Sequence, residues 1–265
     1  MSLAVVAGAL PASAATYRAS LGPVTATLSY RGSDTNPRGT TITVTNAGRV
    51  VYRGPVTTKF CGRLCWPEAA YYPNNGNPLR VVRLHPGLPD VVVGLYSGGA
   101  HCCFVDLIVE PKSSSTFKTV ELDLGDPGAR IEKLPGNPYD AFVTANDAFA
   151  YEFTDYAASG LPLMIERLIN GRVRNVTRQY PTLIARDAKE FLAAFDAQAS
   201  SHYQDSVGVI AAWAADEYLL GRAAAANAFL HVQAVAGHLN SQLEPSLKGE
   251  AFIAQLHAFL QKQGY

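Results

Sequence analysis

The stretch Tyr96-Ser-Gly-Gly-Ala-His-Cys-Cys-Phe104 decides how the chain is read, because glycine punctuation, a histidine and two adjacent cysteines fall between two strongly apolar runs. Upstream lies Asp90-Val-Val-Val-Gly-Leu-Tyr96 and downstream Phe104-Val-Asp-Leu-Ile-Val109. Both are short, β-branched and bounded by turn residues, so the segment predicts strand, tight Gly98-Gly99 turn, strand.

Working outward, the same pattern extends in both directions. Val24-Thr-Ala-Thr-Leu-Ser-Tyr30 and Thr41-Ile-Thr-Val-Thr45 alternate apolar with polar residues, as strands with one wet face do. Asn46-Ala-Gly-Arg49 closes a hairpin onto Val50-Val-Tyr52, which makes a β-meander the economical reading of the N-terminal part. Strands are expected again at Leu79–Leu84, Phe117–Leu124, Ala141–Thr144, Ala148–Phe153 and Leu163–Ile169. The last is joined to Arg172–Thr177 by Asn170-Gly171, the strongest short-range hairpin signal in the chain.

After Pro181 the composition turns to alanine, leucine and glutamine. Helices are expected over Arg186–Phe195, Val207–Leu220, Ala223–Ala236 and Glu250–Gln263. In the last, Phe252, Ile253, Leu256, Phe259 and Leu260 share one stripe, and in the second Val207, Ile210, Ala211, Ala214 and Tyr218 do. The fold class expected is therefore α+β: an antiparallel β-rich domain over 16–180, as a sandwich or propeller-like sheet assembly, and a helical subdomain over 181–265.

Residues Leu3 to Leu10 form a short apolar run followed by Pro11 and Ala12-Ser-Ala14, the small-x-small form of a secretory cleavage site. The expectation is a signal peptide over 1–15 and an extracytoplasmic protein, secreted or held in the periplasm or cell envelope. The run is too short to cross a bilayer, which takes about twenty apolar residues. Charge is balanced, with 22 basic and 22 acidic residues and no basic run, so nothing marks a nucleic-acid partner.

Export gives the four cysteines a meaning, since in an oxidising compartment an even number reads as disulfides. Four cysteines allow three pairings, which fall into two patterns, and both stay open. Bridges crossing from Cys61 and Cys65 to Cys102 and Cys103 would pin the irregular loop 54–78 to the sheet, closing loops of about forty residues for roughly 3–4 kcal/mol each. Local bridges, Cys61 with Cys65 and Cys102 with Cys103, are the other pattern. Trp66, Tyr71 and Tyr72 in the loop, with His101 beside the cysteines, form the expected recognition surface for an extracytoplasmic protein or glycan.

Two other chemistries compete with binding. His101, Cys102 and Cys103 with Cys61 and Cys65 supply nitrogen and sulfur donors of the kind zinc or copper takes, although their spacing fits no zinc pattern. Asp140, Asp147, Glu152 and Asp155 offer carboxylates for a secreted hydrolase of carbohydrate or another envelope polymer, if two of them flank a cleft. No pattern for an organic cofactor is present, and the G-x-S-x-G elbow of serine hydrolases is missing. His202, His231, His238 and His257 sit in the helical part without acidic or cysteine partners at ligand spacing.

The string Ser97-Gly-Gly-Ala-His-Cys-Cys103, together with Cys61-x-x-x-Cys65 and Asn170-Gly-Arg-Val-Arg-Asn-Val-Thr-Arg-Gln-Tyr-Pro181, resembles an uncharacterised family of secreted bacterial proteins with a Gly-Gly-Ala-His-Cys-Cys signature. The resemblance covers about residues 60 to 195. It implies export and a β-rich fold distantly similar to FG-GAP-type β-propeller repeats, and implies no activity. Where such repeats carry an Asp-rich calcium loop, this chain reads Leu84-His-Pro-Gly-Leu-Pro-Asp90, with one acidic residue.

Overall fold

The computed structural model describes residues 14–60, 65–69, 76–199, 205–241, 244 and 246–265. The protein is α+β: three antiparallel sheets precede four helices. The first sheet is a meander of β1 (Ala14–Leu21), β2 (Val24–Ser33), β3 (Asn36–Asn46) and β4 (Arg49–Pro55), in that spatial order. The second is ordered β5 (Trp66–Pro67), β7 (Asp90–Gly99), β8 (Cys102–Pro111), β9 (Phe117–Gly125), with β6 (Leu79–Val82) also on β7. The third runs β10 (Arg130–Lys133), β11 (Asp140–Ala145), β12 (Leu163–Ile169), β13 (Arg172–Asn175). The expected signal segment lies outside the described residues except for Ala14 and Ala15, which pair with Arg31 and Tyr30 in the meander.

The alternation in β2 does what its pattern asks. Val24, Ala26, Leu28 and Tyr30 are buried and the intervening residues are half-exposed. Val24, Ala26 and Leu28, with Ile42 and Val44 of β3, meet Leu79, Val91, Val93, Leu95, Val105, Leu107 and Val109 of the second sheet in one core, so these two sheets form a sandwich. The central strands β7 and β8 are buried on both faces from Asp90 to Leu95 and from Val105 to Pro111, which explains why their sequences are continuous β-branched runs.

Asn170 and Gly171 take positive φ values of 53° and 73°, the left-handed pair that a two-residue hairpin between twisted strands requires. The strand expected over Ala148–Phe153 does not form. Asn146 accepts from the Ala148 N–H and starts a 3-10 turn over Asp147–Phe149, and the chain continues through turns. Phe149 and Phe153 are still buried, but Tyr151, which a strand would place on the same face, is exposed beside Glu152.

The helices are α1 (Pro181–Ala199), α2 (Val207–Leu219), α3 (Ala223–Val235) and α4 (Gly249–Gln263). The first starts five residues earlier than expected, on a proline whose fixed φ suits a first helical position. The last ends on Gly264 at φ 84°, a left-handed cap. Helix α2 is central: it packs on α1, α3 and α4, and Val207 to Asp216 are buried all round rather than on one stripe. Its core joins the α4 stripe to a knot of rings in which Phe149 meets Phe259 at 4.8 Å and Phe153 meets Phe252 at 5.5 Å, both edge to face.

By compactness the chain divides into two units. One comprises Met1–Gly128, Lys133–Asp140 and Asn170–Arg172, and the other Ala129–Glu132, Ala141–Ile169 and Val173–Tyr265. The sandwich belongs to the first and the helical core to the second.

Candidate functional site

The tip of the β7–β8 hairpin carries the central motif. Tyr96 pairs with Phe104, and an irregularity follows before Gly99 pairs with Cys102. Trp66 of β5 pairs with Tyr96 from the other side. Directly paired residues lie on the same face of a sheet, so three rings stand in a row across three strands. Trp66 meets Tyr96 edge to face at 5.5 Å and Tyr96 stacks on Phe104 at 4.6 Å, all three half-buried.

Glycine at 98 is what lets the row extend over the turn. Gly98 has φ +81°, and a Cβ there would lie 2.4 Å from the Trp66 ring, so the indole sits directly on its backbone. The Trp66 indole N–H donates to Glu68 at 2.7 Å, the Tyr96 hydroxyl donates to the Gly99 carbonyl, and the Cys103 N–H donates to Ser97 Oγ at 2.7 Å. These bonds fix the rings and the turn to each other. His101 is exposed at the tip, and Cys102 and Cys103 open β8 half-buried. Cys65 packs against the sandwich core just before β5. The structure therefore gathers Trp66, His101, Cys102 and Cys103 around one hairpin end; Cys61, Tyr71 and Tyr72 lie outside the described residues.

At the opposite end of β7 and β8 is a charged cluster that sequence reasoning missed. Asp90 is fully buried, with Oδ2 accepting from the Leu84 N–H at 3.0 Å and Oδ1 2.9 Å from His85 Nε2. His85 Nδ1 lies 2.6 Å from the Pro86 carbonyl. Both ring nitrogens thus face acceptors, an arrangement satisfied only by the imidazolium, and its pKa is raised, chiefly by Asp90 against a smaller desolvation effect. The buried Glu110 stands 3.8 Å from the same nitrogen and accepts from Lys112 at 2.6 Å. A histidine held doubly protonated is a poor general base, so this cluster reads as a structural ion pair.

The carboxylates expected for a hydrolase do local work. Asp140 accepts from the Arg83 N–H at 2.9 Å and Asp155 from the Ala158 N–H at 2.8 Å, while Asp147 lies in the first turn after Asn146 and Glu152 is exposed. A different acidic pair lies in the helical unit: half-buried Asp187 of α1 and fully buried Asp216 of α2. Nothing in an apolar, alanine-rich helix signals that Asp216, of its two adjacent acids Asp216 and Glu217, faces inward. His231 pairs with Glu250 at 2.8 Å, His238 bonds Gln233 and His257 bonds Asn227; His202 lies outside the described residues. Among the described residues no group of three or more His, Cys, Asp or Glu side chains is placed to hold a metal ion. No described helix is long and apolar enough to cross a membrane.

Comparison with known proteins gives two partial relatives. The chain is 29% identical over 128 residues to a probable thylakoid lumen protein of Synechocystis sp., covering 40% of this chain and 38% of that protein. It is 26% identical over 137 residues to an uncharacterized protein of Sinorhizobium fredii, covering 47% of this chain and 22% of that one. The chain thus spans well under half the length of each. No protein-family profile matches it. No solved structure matches it significantly.

Proposed function

We propose that the protein is an extracytoplasmic binding module whose recognition surface is the aromatic tip of the β7–β8 hairpin. The observation that carries this reading is the row Trp66–Tyr96–Phe104, locked by hydrogen bonds beside the exposed His101. A rigid row of rings with polar groups at its edge offers large apolar contact at small entropic cost, and its ligand is a glycan or a protein segment. Export is supported by the signal-like N-terminal sequence, by the even cysteine number and by the relative named for a lumen. In this reading the four cysteines form two bridges, and the chain belongs with secreted proteins of the Gly-Gly-Ala-His-Cys-Cys signature.

The test is binding of the purified protein to an array of bacterial polysaccharides and peptides, followed by Trp66→Ala and His101→Ala on any hit. Saturable binding lost in Trp66→Ala, and kept in Asp140→Asn and Glu152→Gln, is the expected result. An array without saturable binding, or Trp66→Ala binding at full strength, overturns the assignment. Turnover of a polymer that depends on one of those carboxylates would establish the hydrolase instead. Stoichiometric metal lost in Cys102→Ser would establish the metal protein.

A further inference from the structure

The acidic pair in the helical unit has an unusual balance of donors and acceptors. Asp187 Oδ2 accepts from the Leu163 N–H, the first residue of β12, at 2.7 Å. Asp216 is wholly buried, and neither of its side-chain oxygens receives a hydrogen bond from any donor. The group it meets is the Asp187 carboxyl. Two ionised carboxylates are unfavourable here, because neither can donate, each repels the other, and Asp216 is cut off from water. One proton removes both difficulties: Asp216 becomes a donor, Asp187 its acceptor, and one negative charge remains where a backbone N–H already stabilises it.

We propose that Asp187 and Asp216 share a proton as a clasp that ties α1, α2 and β12 together, closed at acidic and neutral pH and released as the pH rises. Asp216 is the proton carrier. Asp187 is also raised, chiefly by burial and further by Glu190, but the Leu163 N–H, Asp216 and the Arg186 guanidinium favour its charge; Asp216 has burial, Asp187 and Glu217 against its charge and no counterion. Tyr265 also faces the pair, with Arg178 near its hydroxyl and the Asn146 amide donating to it at 3.0 Å. Burial first, then the charge of Asp187, pushes the Asp216 carboxyl up to about 9. A carboxyl with no exposure cannot touch a substrate, so the pair is a conformational device rather than a catalytic dyad.

Release has a defined reach. Tyr265 and Arg178 line a cleft of about 360 Å³ with Asn146, Leu219 and Gly264, and Arg178 donates to the carbonyls that end α2 and α4, Leu219 at 3.4 Å and Gly264 at 3.2 Å. A second charge at Asp216 falls between the two helices that carry Asp187 and the Tyr265 side of this cleft. Opening of the clasp therefore loosens the α1–α2 contact and the cleft together.

Asp216→Asn tests this directly, since the amide keeps a donor toward Asp187 and carries no charge at any pH. Melting curves of the whole chain from pH 5 to pH 10 should show the wild type losing stability with rising pH relative to Asp216→Asn, the difference corresponding to about one proton. The difference between the two proteins should be smallest at pH 5 and grow as the pH rises through the folded pKa of Asp216. If both lose stability in parallel across the range, the clasp is refuted. A second measurement covers the case in which the variant fails to fold: the carboxyl carbon of Asp216 in the wild-type protein, followed by NMR, should titrate well above the ordinary aspartate range. Titration near the usual value for aspartate overturns the proposal.

Discussion

Replacing Gly208 with alanine sets two effects of opposite sign against each other inside α2. Alanine is the better helix former, and at the second residue of α2 the exchange is worth at most about 1 kcal/mol in favour of the variant. The packing says the reverse. A Cβ on Gly208 would lie 2.2 Å from the Ala158 carbonyl oxygen and 2.7 Å from Thr154 Cγ2, where ordinary contact begins at 3.4 Å. The atom met first is backbone, in a loop fixed by the Ala158 N–H bond to Asp155, so it cannot swing aside as a side-chain tip would. A Cβ on Gly160 of the same loop would lie 2.8 Å from Ala212 Cβ and 2.9 Å from the Gly208 carbonyl oxygen, which ties both sides of the contact. Overpacking costs about 1–3 kcal/mol, and a backbone clash of more than 1 Å belongs at the upper end of that range. Net of helix propensity, Gly208→Ala should destabilise by about 2 kcal/mol, lowering the melting temperature by about 4–8 °C for a unit of this size. Thermal unfolding followed by circular dichroism reads this directly. An unchanged or higher melting temperature would show that propensity outweighs the contact, and the close approach of α2 to the 154–160 loop would be refuted.

Gly98→Ala, which combines a positive φ with a Cβ inside the Trp66 ring, should displace the indole; its emission, isolated in a Trp213→Phe background, should shift to the red, and an unshifted spectrum would argue against the ring row. Phe149→Ala removes a fully buried ring that meets Phe259 and Tyr265 edge to face, and should cost about 3–5 kcal/mol in a denaturant melt, whereas a loss below about 1 kcal/mol would place Phe149 outside the core. His85→Ala leaves the buried Asp90 without its ion-pair partner and should cost about 3 kcal/mol at acidic pH, less as the pH rises through the raised pKa of His85; a loss independent of pH would show that the imidazolium is not what matters.

Much of this architecture is legible in the residues. The alternation Val24–Tyr30, the Asn170-Gly171 turn and the apolar stripe of α4 are local signals, and local signals survive folding because each fixes its own backbone or face. The segment 148–153 misleads because a short aromatic-rich run reads as a strand; the deciding feature is the Asn146 cap, which lies before the stretch and starts turns that bury Phe149 and Phe153 and leave Tyr151 outside. The candidate site is only half legible. Glycine, histidine and cysteines mark the hairpin tip, but Trp66 joins Tyr96 and Phe104 through strand pairing that no sequence spacing records. Asp216 is hidden for a related reason: the acids Asp216 and Glu217 in an alanine-rich helix read as its wet face, and only the packing of α1, α3 and α4 around α2 turns Asp216 inward.

The buried ionisable groups act in one direction, and this bears on where the fold works best. Desolvation raises Asp106 to about 7 against the smaller opposing pull of Arg80, raises Glu166 to about 7, and with Asp187 raises Asp216 to about 9. Each of these groups keeps a proton in the folded state that the unfolded chain would release near the ordinary carboxyl value. Their contribution is fully present below that value and is lost as pH rises through the folded pKa. His85 adds to the same slope, because its raised pKa makes the folded state the one that holds the proton. Formal net charge is zero at pH 7, so self-repulsion of the whole molecule contributes little near neutrality and the buried groups dominate the slope. Stability should therefore decline from mildly acidic to mildly alkaline pH, in the sandwich through Asp106 and His85 and in the helical unit through Glu166 and Asp216. A melting temperature higher at pH 8 than at pH 5 would contradict the burial of these groups and the shared proton together.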